Sequence, residues 1–118
     1  MVNRKSSILM VLFFLSILAP AATMHAGETE TLRTVQGEVM ADTESPLPGA
    51  VVYLKNTKSM SVRSFVSDDK GNYRFTSLSP NVDYEIHAEY NGQKSDTKTL
   101  SSFDSRRVAY INLKIKGK

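Results

Sequence analysis

His87 stands between two carboxylates in Glu85-Ile86-His87-Ala88-Glu89. At spacing i, i+2 and i+4 in an extended chain, the three polar side chains point to one side, about 7 Å between successive positions. An imidazole beside carboxylates suits zinc, yet a flat strand supplies no cage to complete a tetrahedral site. A solvated strand face is the preferred reading, and no metal or cofactor is expected. The other histidine, His25, lies near the N-terminus. Asp68, Asp69 and Asn72 gather side-chain oxygens, but without the twelve-residue loop and closing glutamate of a calcium hand. Aspartate bonds nearby backbone donors and glycine tolerates φ > 0, so Asp68 to Gly71 reads as a hairpin turn. The chain has no cysteine to act as a thiol nucleophile. None of its serines sits in a Gly-x-Ser-x-Gly elbow. No catalytic residue is expected.

What remains is contact chemistry, which depends on the elements beneath it. No sustained 3.6-residue apolar period occurs, whereas strand alternation recurs. The expected strands are Leu32 to Ala41, Ala50 to Lys55, Val62 to Ser67, a short strand around Tyr73 and Phe75, Asp83 to Tyr90, Gln93 to Leu100, and Arg107 to Ile115. Tyr84, Ile86, Ala88 and Tyr90 share one face of the fifth, and Asn91-Gly92 closes a two-residue hairpin after it. Gly37 inside the first strand marks a bulge or a close backbone approach. The sixth strand is polar, and Lys94 and Lys98 would guard it as an edge. On the last strand Ala109, Ile111, Leu113 and Ile115 point inward. Seven short strands in one small domain predict an all-β, two-sheet sandwich.

Two pairs fall opposite the expected core faces: Val51 and Tyr53 on the second strand, Val108 and Tyr110 on the last. If those strands share a sheet, the four form one outward apolar patch with two phenols, a candidate partner-binding site. Scattered surface apolar residues are the ordinary alternative.

The N-terminus has a different character. Arg4 and Lys5 precede an apolar run from Ile8 to Ala19, and Ala19-Pro20-Ala21 places small residues where a signal peptidase reads. This is the layout of a secretory signal over residues 1–21, and the run is shorter than the roughly 20 residues that span a bilayer. Residues 22–31 read as a polar lead-in and 32–116 as the domain. Cleavage after Ala21 would leave about 97 residues, more than the ~55–65 that often suffice for independent folding. Losing Arg4 and Lys5 lowers the formal net charge from +3 to +1. A nearly neutral chain lacks the broad positive field of a nucleic-acid binder. No Asn-x-Ser/Thr acceptor is present. A secreted or periplasmic bacterial protein, with no stable membrane span after cleavage, is expected.

The ordered motifs Val35-x-Gly37-x-Val39, Leu47-Pro48-Gly49-Ala50-x-Val52-x-Leu54, Ser67-Asp68, Gly71-x-Tyr73-x-Phe75, Leu78-x-Pro80 and Tyr84-x-Ile86-x-Ala88 resemble the carboxypeptidase regulatory-like domain. The likeness runs from about Val35 to Ile115. It implies a transthyretin-like sandwich of seven strands and mixed pairing. It also implies an accessory or interaction role beside another envelope or extracellular protein, with a carbohydrate-binding module as the alternative. Transthyretin-like folds include an enzyme, hydroxyisourate hydrolase, which has a Tyr-Arg-Gly-Ser ending and a histidine set. This chain ends Lys114-Ile115-Lys116-Gly117-Lys118 and offers no equivalent pair. Isopeptide-forming surface modules need a first-strand lysine near an asparagine such as Asn112, and the first strand carries Arg33 instead.

Overall fold

The computed structural model describes residues 31–116, so the expected signal over 1–21 and most of the lead-in lie outside the described residues. Nine strands form among them: β1 Arg33–Ala41, β2 Val51–Asn56, β3 Val62–Val66, β4 Asn72–Leu78, β5 Tyr84–Tyr90, β6 Gln93–Lys94, β7 Lys98–Leu100, β8 Val108–Tyr110 and β9 Leu113–Ile115. One sheet runs β4-β1-β8 with β9 also on β1; the other runs β3-β2-β5-β6 with β7 also on β5. Pairing is antiparallel except that β8 and β9 run parallel to β1. The expected two-sheet, mixed sandwich is what forms. Among the described residues no helix is long and apolar enough to cross a membrane.

Alternation builds the core. Val35 and Val39 of β1, Val52 and Leu54 of β2, Tyr73, Phe75 and Leu78 of β4, and Tyr84, Ile86 and Ala88 of β5 are all buried. Leu100, Ala109, Leu113 and Ile115 join them from the C-terminal strands. Each large apolar side chain removed from water contributes about 1.5–3 kcal/mol. The Asn91-Gly92 hairpin has both residues at positive φ, 50° and 77°, as its two-residue loop requires.

Three readings of local structure change. Asp68 to Gly71 is not a hairpin turn: β3 belongs to one sheet and β4 to the other, so the turn carries the chain between layers. Its chemistry is as expected, with Asp68 Oδ1 accepting from the Lys70 and Asn72 backbone N–H groups. Those bonds hold the Asp68 carboxyl below its ordinary range. Gly71 sits at φ 79°, where an added Cβ would lie 2.7 Å from the Val39 carbonyl oxygen. The chain turns there against β1 instead of returning along β3.

The expected sixth strand is broken into β6 and β7. Ser95 spans the break: its N–H donates to the Ala88 carbonyl, and its hydroxyl oxygen accepts from the Ala88 N–H. The expected last strand is broken into β8 and β9, although both keep one register against β1. Between them the Ile111 carbonyl accepts a 2.6 Å bond from the Tyr73 hydroxyl, and Asn112 Oδ1 accepts from the Glu38 N–H. The Ile111 N–H still donates to the Gln36 carbonyl, while side chains take up the Ile111 carbonyl and the Glu38 N–H.

One pole is fastened by Arg33, only 4% exposed. Its guanidinium donates to the carbonyls of Ser79, Val82, Ser101 and Asp104, joining the 79–83 and 101–107 loops. Arg106 in turn grips the Asp104 carboxylate, at 2.6 Å through its terminal nitrogen. That side-chain bond, with the Arg106 backbone N–H, lowers the Asp104 carboxyl to about 2. A depressed folded value stabilises above the unfolded carboxylate range and is lost as pH falls through the folded one. Carboxyl-detected NMR should therefore show Asp104 titrating near pH 2, and Arg106→Gln should return it towards 3.8. An unchanged midpoint in that variant would reject the pair as the cause.

Candidate functional site

The outer face of the five-stranded sheet is built by the alternate residues of β2, β3 and β5 that the core does not use. Val51, Tyr53 and Lys55 lie opposite Val66, Ser64 and Val62 on one side, and opposite Glu89, His87 and Glu85 on the other. Val62 and Val66 are 56% and 60% exposed, so the β3 side of the face is a row of uncovered apolar groups. Tyr53 stacks on His87 with ring centroids 5.2 Å apart and planes 24° from parallel. Beyond this stack the face becomes charged. His87 Nε2 lies 3.0 Å from Glu89 Oε2, and Lys55 Nζ lies 3.4 Å from Glu85 Oε1. Lys94 lies 3.9 Å from the same Glu89 oxygen. A shallow hollow of about 320 Å³ opens among Tyr53, Val62 and His87.

This geometry bears on the metal question. His87 and Glu89 bond to each other while Glu85 is drawn away to Lys55, so the three candidate ligands do not converge on one point. Among the described residues no group of three or more His, Cys, Asp or Glu is placed to hold a metal ion.

The second half of the expected patch lies elsewhere. Val108 and Tyr110, 40% and 66% exposed, belong to β8 in the four-stranded sheet. Tyr53 and Tyr110 therefore lie on opposite outer faces of the sandwich, and no common patch of Val51, Tyr53, Val108 and Tyr110 exists. The cause is strand assignment: the last strand pairs with β1 and never with β2. Tyr110 borders a different hollow of about 480 Å³, rimmed by Gln36, Glu38, Asn72, Arg74 and Asn112. Asn112 has a backbone partner in the Glu38 N–H and shares no bond with a lysine.

Sequence reasoning missed Val62 and Val66. The signal was present in Val62-Arg63-Ser64-Phe65-Val66, where apolar residues occupy both inward and outward positions. It could be read as a surface only once the partner strand was known.

The sequence profile of the carboxypeptidase regulatory-like domain matches residues 34–115. A comparison with curated proteins gives no match. Among solved structures, the chlorocatechol 1,2-dioxygenase of Pseudomonas putida superposes with a TM-score of 0.57 at 14% identity, covering 76% of this chain and 63% of its own. BcpA, the major pilin subunit of Bacillus cereus, superposes with a TM-score of 0.56 at 14% identity, covering 75% and 31%. The TIE protein of Bacillus anthracis gives 0.57 at 16% identity, covering 73% and 16%. The chain thus spans less than two thirds of the length of each, and at these identities the likeness is one of fold.

Proposed function

The chain belongs to the carboxypeptidase regulatory-like domain family, and from that premise we propose that it is a non-enzymatic accessory module, secreted or periplasmic, that acts by contact with another envelope or extracellular protein. The observation that carries this reading is the uncovered outer face of the five-stranded sheet. Val51, Val62 and Val66 make its β3 side apolar beside Tyr53, and the Lys55–Glu85 and Glu89–Lys94 pairs make its β5 side charged. Apolar groups that exclude water next to charges that orient the partner are the usual ingredients of a protein contact. The partner it fits is a protein with a matching apolar patch and charges of both signs beside it.

The test is affinity capture from the native envelope. The wild-type chain should enrich a partner that the Val51→Ser/Tyr53→Ser double variant loses at least tenfold. Tyr110→Ser should retain it. Melting temperatures should stay within a few degrees, since the replaced groups lie outside the core. Equal capture by the wild type and the double variant would sink the assignment of this face.

A second reading, carbohydrate binding, has one observation in its favour. Tyr110 is 66% exposed beside a hollow rimmed by amide, carboxylate and guanidinium groups. A glycan array distinguishes the two. Sugar binding at micromolar strength, about −8 kcal/mol, abolished by Tyr110→Ser, would replace the protein-contact reading.

A further inference from the structure

A sheet edge with free backbone groups is a template for another strand, and proteins guard most of theirs. Three edges of this sandwich are guarded. The β6/β7 edge is broken after two residues and carries Lys94 and Lys98. The β8/β9 edge is broken at Ile111 and Asn112 and carries Lys114 and Lys116. On the β4 edge, the Arg63 guanidinium donates to the Thr76 carbonyl from 3.3 Å.

The β3 edge differs. It runs unbroken over Val62–Val66, all five residues are exposed, and its outer-face side chains are Val62, Ser64 and Val66. Its charge, Arg63, turns inward, 5.5 Å from the Phe75 ring centre. The direction of its free backbone groups follows from the ladder. Asn56 N–H donates to the Ser61 carbonyl and Ser67 N–H to the Ala50 carbonyl. By alternation, Arg63 and Phe65 spend their backbone groups on β2, and those of Val62, Ser64 and Val66 point away from the sheet.

We infer that β3 pairs with β3 of a second copy of this chain, antiparallel, about a two-fold axis at Ser64. The sequence of the strand is self-complementary in that arrangement. Val62 falls opposite Val66 of the partner, Ser64 opposite Ser64, and Arg63 opposite Phe65. The two guanidiniums do not face each other, and each meets an aromatic ring, an attractive cation–π pairing. The outward groups of three residues on each chain supply about six hydrogen bonds. The two five-stranded sheets become one continuous sheet, and the rows of Val62 and Val66 join across the axis. An isologous contact of this kind closes at two copies.

The test uses the chain as its host processes it, examined by analytical ultracentrifugation. The wild type should sediment as a dimer at tens of micromolar. Ser64→Pro removes an N–H that only the added strand uses, a substitution edge strands tolerate. It should weaken association at least tenfold with an unchanged circular dichroism spectrum. Val62→Lys/Val66→Lys, which sets like charges opposite each other, should do the same. Association through the N-terminal apolar segment would survive both changes, and that result would overturn the proposal. So would a monomeric wild type, including one whose Ser64→Pro variant loses a different captured protein.

A third variant fixes the register even if proline disturbs folding. Opposed residues at Ser64 would have Cα atoms about 5.5 Å apart, within the ~4.4–6.8 Å a disulfide spans. The chain contains no cysteine, so Ser64→Cys should give a covalent dimer under mild oxidant, and Thr99→Cys on the opposite edge should not. Equal cross-linking at the two positions would reject the two-fold axis. Tyr53→Ser leaves the β3 edge untouched and should leave the dimer intact, so loss of partner capture and loss of dimerisation are separable.

Discussion

Arg33→Met should lower the stability of the domain by about 3 kcal/mol, a large part of the ~5–15 kcal/mol typical of such domains. The side chain is buried at the start of β1, and a charge there costs desolvation energy. Its Nε also finds no hydrogen-bond partner, which adds to that cost. Methionine would remove both costs. The other side of the balance is larger, because the partners are main-chain carbonyls that no substitution deletes. Those of Ser79, Val82, Ser101 and Asp104 would each lose a charge-assisted bond of 2.8–3.3 Å. The Val82 carbonyl is the most deeply enclosed of these interactions. Leaving such groups without a partner costs roughly 1–3 kcal/mol apiece where water cannot enter. Water will reach some of them, which holds the sum near 3.

Arg33→Lys should fall between wild type and methionine. It keeps the charge, but a compact ammonium cannot span two loops as the planar fork does. For a domain of this size the methionine variant should melt roughly 12–24 °C lower. Urea denaturation provides the free energy directly. A loss below 1 kcal/mol with an unchanged denaturant slope would mean that the loops are held by Asp83 instead. Asp83 already accepts from the Ser102 N–H and, through its carbonyl, from the Thr57 N–H and hydroxyl.

Arg33 also marks the boundary of what the sequence makes legible. Local signals were readable: alternation along β5, positive φ at Asn91 and Gly92, and the Asp68 side chain capping its own turn. Each depends on neighbours within a few residues. Errors arose wherever the decisive partner was distant. Asp68 to Gly71 has the composition of a hairpin turn, and only the pairing of β3 with β2 and of β4 with β1 makes it a crossing between sheets. Val51 and Tyr53 were correctly placed on an outer face. Their expected union with Val108 and Tyr110 failed because alternation tells which side a residue faces, not which sheet it is in. The burial of Arg33 is hidden in the same way, because its four acceptors lie 46 to 71 residues away. The exposed valines of β3 are not legible as a surface in the sequence, because an edge strand is recognised by what fails to pair with it.

Gly37→Ala should be more damaging still, at about 3–5 kcal/mol, although it adds a single methyl group. The position lies mid-strand on β1, opposite Tyr73 on β4. Its constraint is space, since an added Cβ would fall 2.0 Å from the Ile111 carbonyl oxygen and 2.7 Å from its carbon. Both are backbone atoms and cannot rotate away. The segment between β8 and β9 must therefore move, a strain of the ~1–3 kcal/mol seen when packed interiors are overfilled. Displacing Ile111 also breaks the 2.6 Å bond from the Tyr73 hydroxyl and disturbs the 3.0 Å bond from Glu38 N–H to Asn112 Oδ1. Two such bonds add about 0.5–1.5 kcal/mol each. Tyr73→Phe separates the contributions: it removes the hydroxyl alone and should cost about 1–3 kcal/mol, the penalty for an unpartnered carbonyl. A spectroscopic readout distinguishes displacement from simple loss of stability. Burial raises the Tyr73 phenol well above its ordinary 10, so in the wild type it should resist ionisation until the chain unfolds. In Gly37→Ala, opening of the strand beside it should bring that ionisation down towards 10 while the other strands remain folded. A variant that is destabilised yet keeps Tyr73 silent to alkali would show that the clash is absorbed by β1 itself, and the Ile111 seat would not be the reason for the glycine.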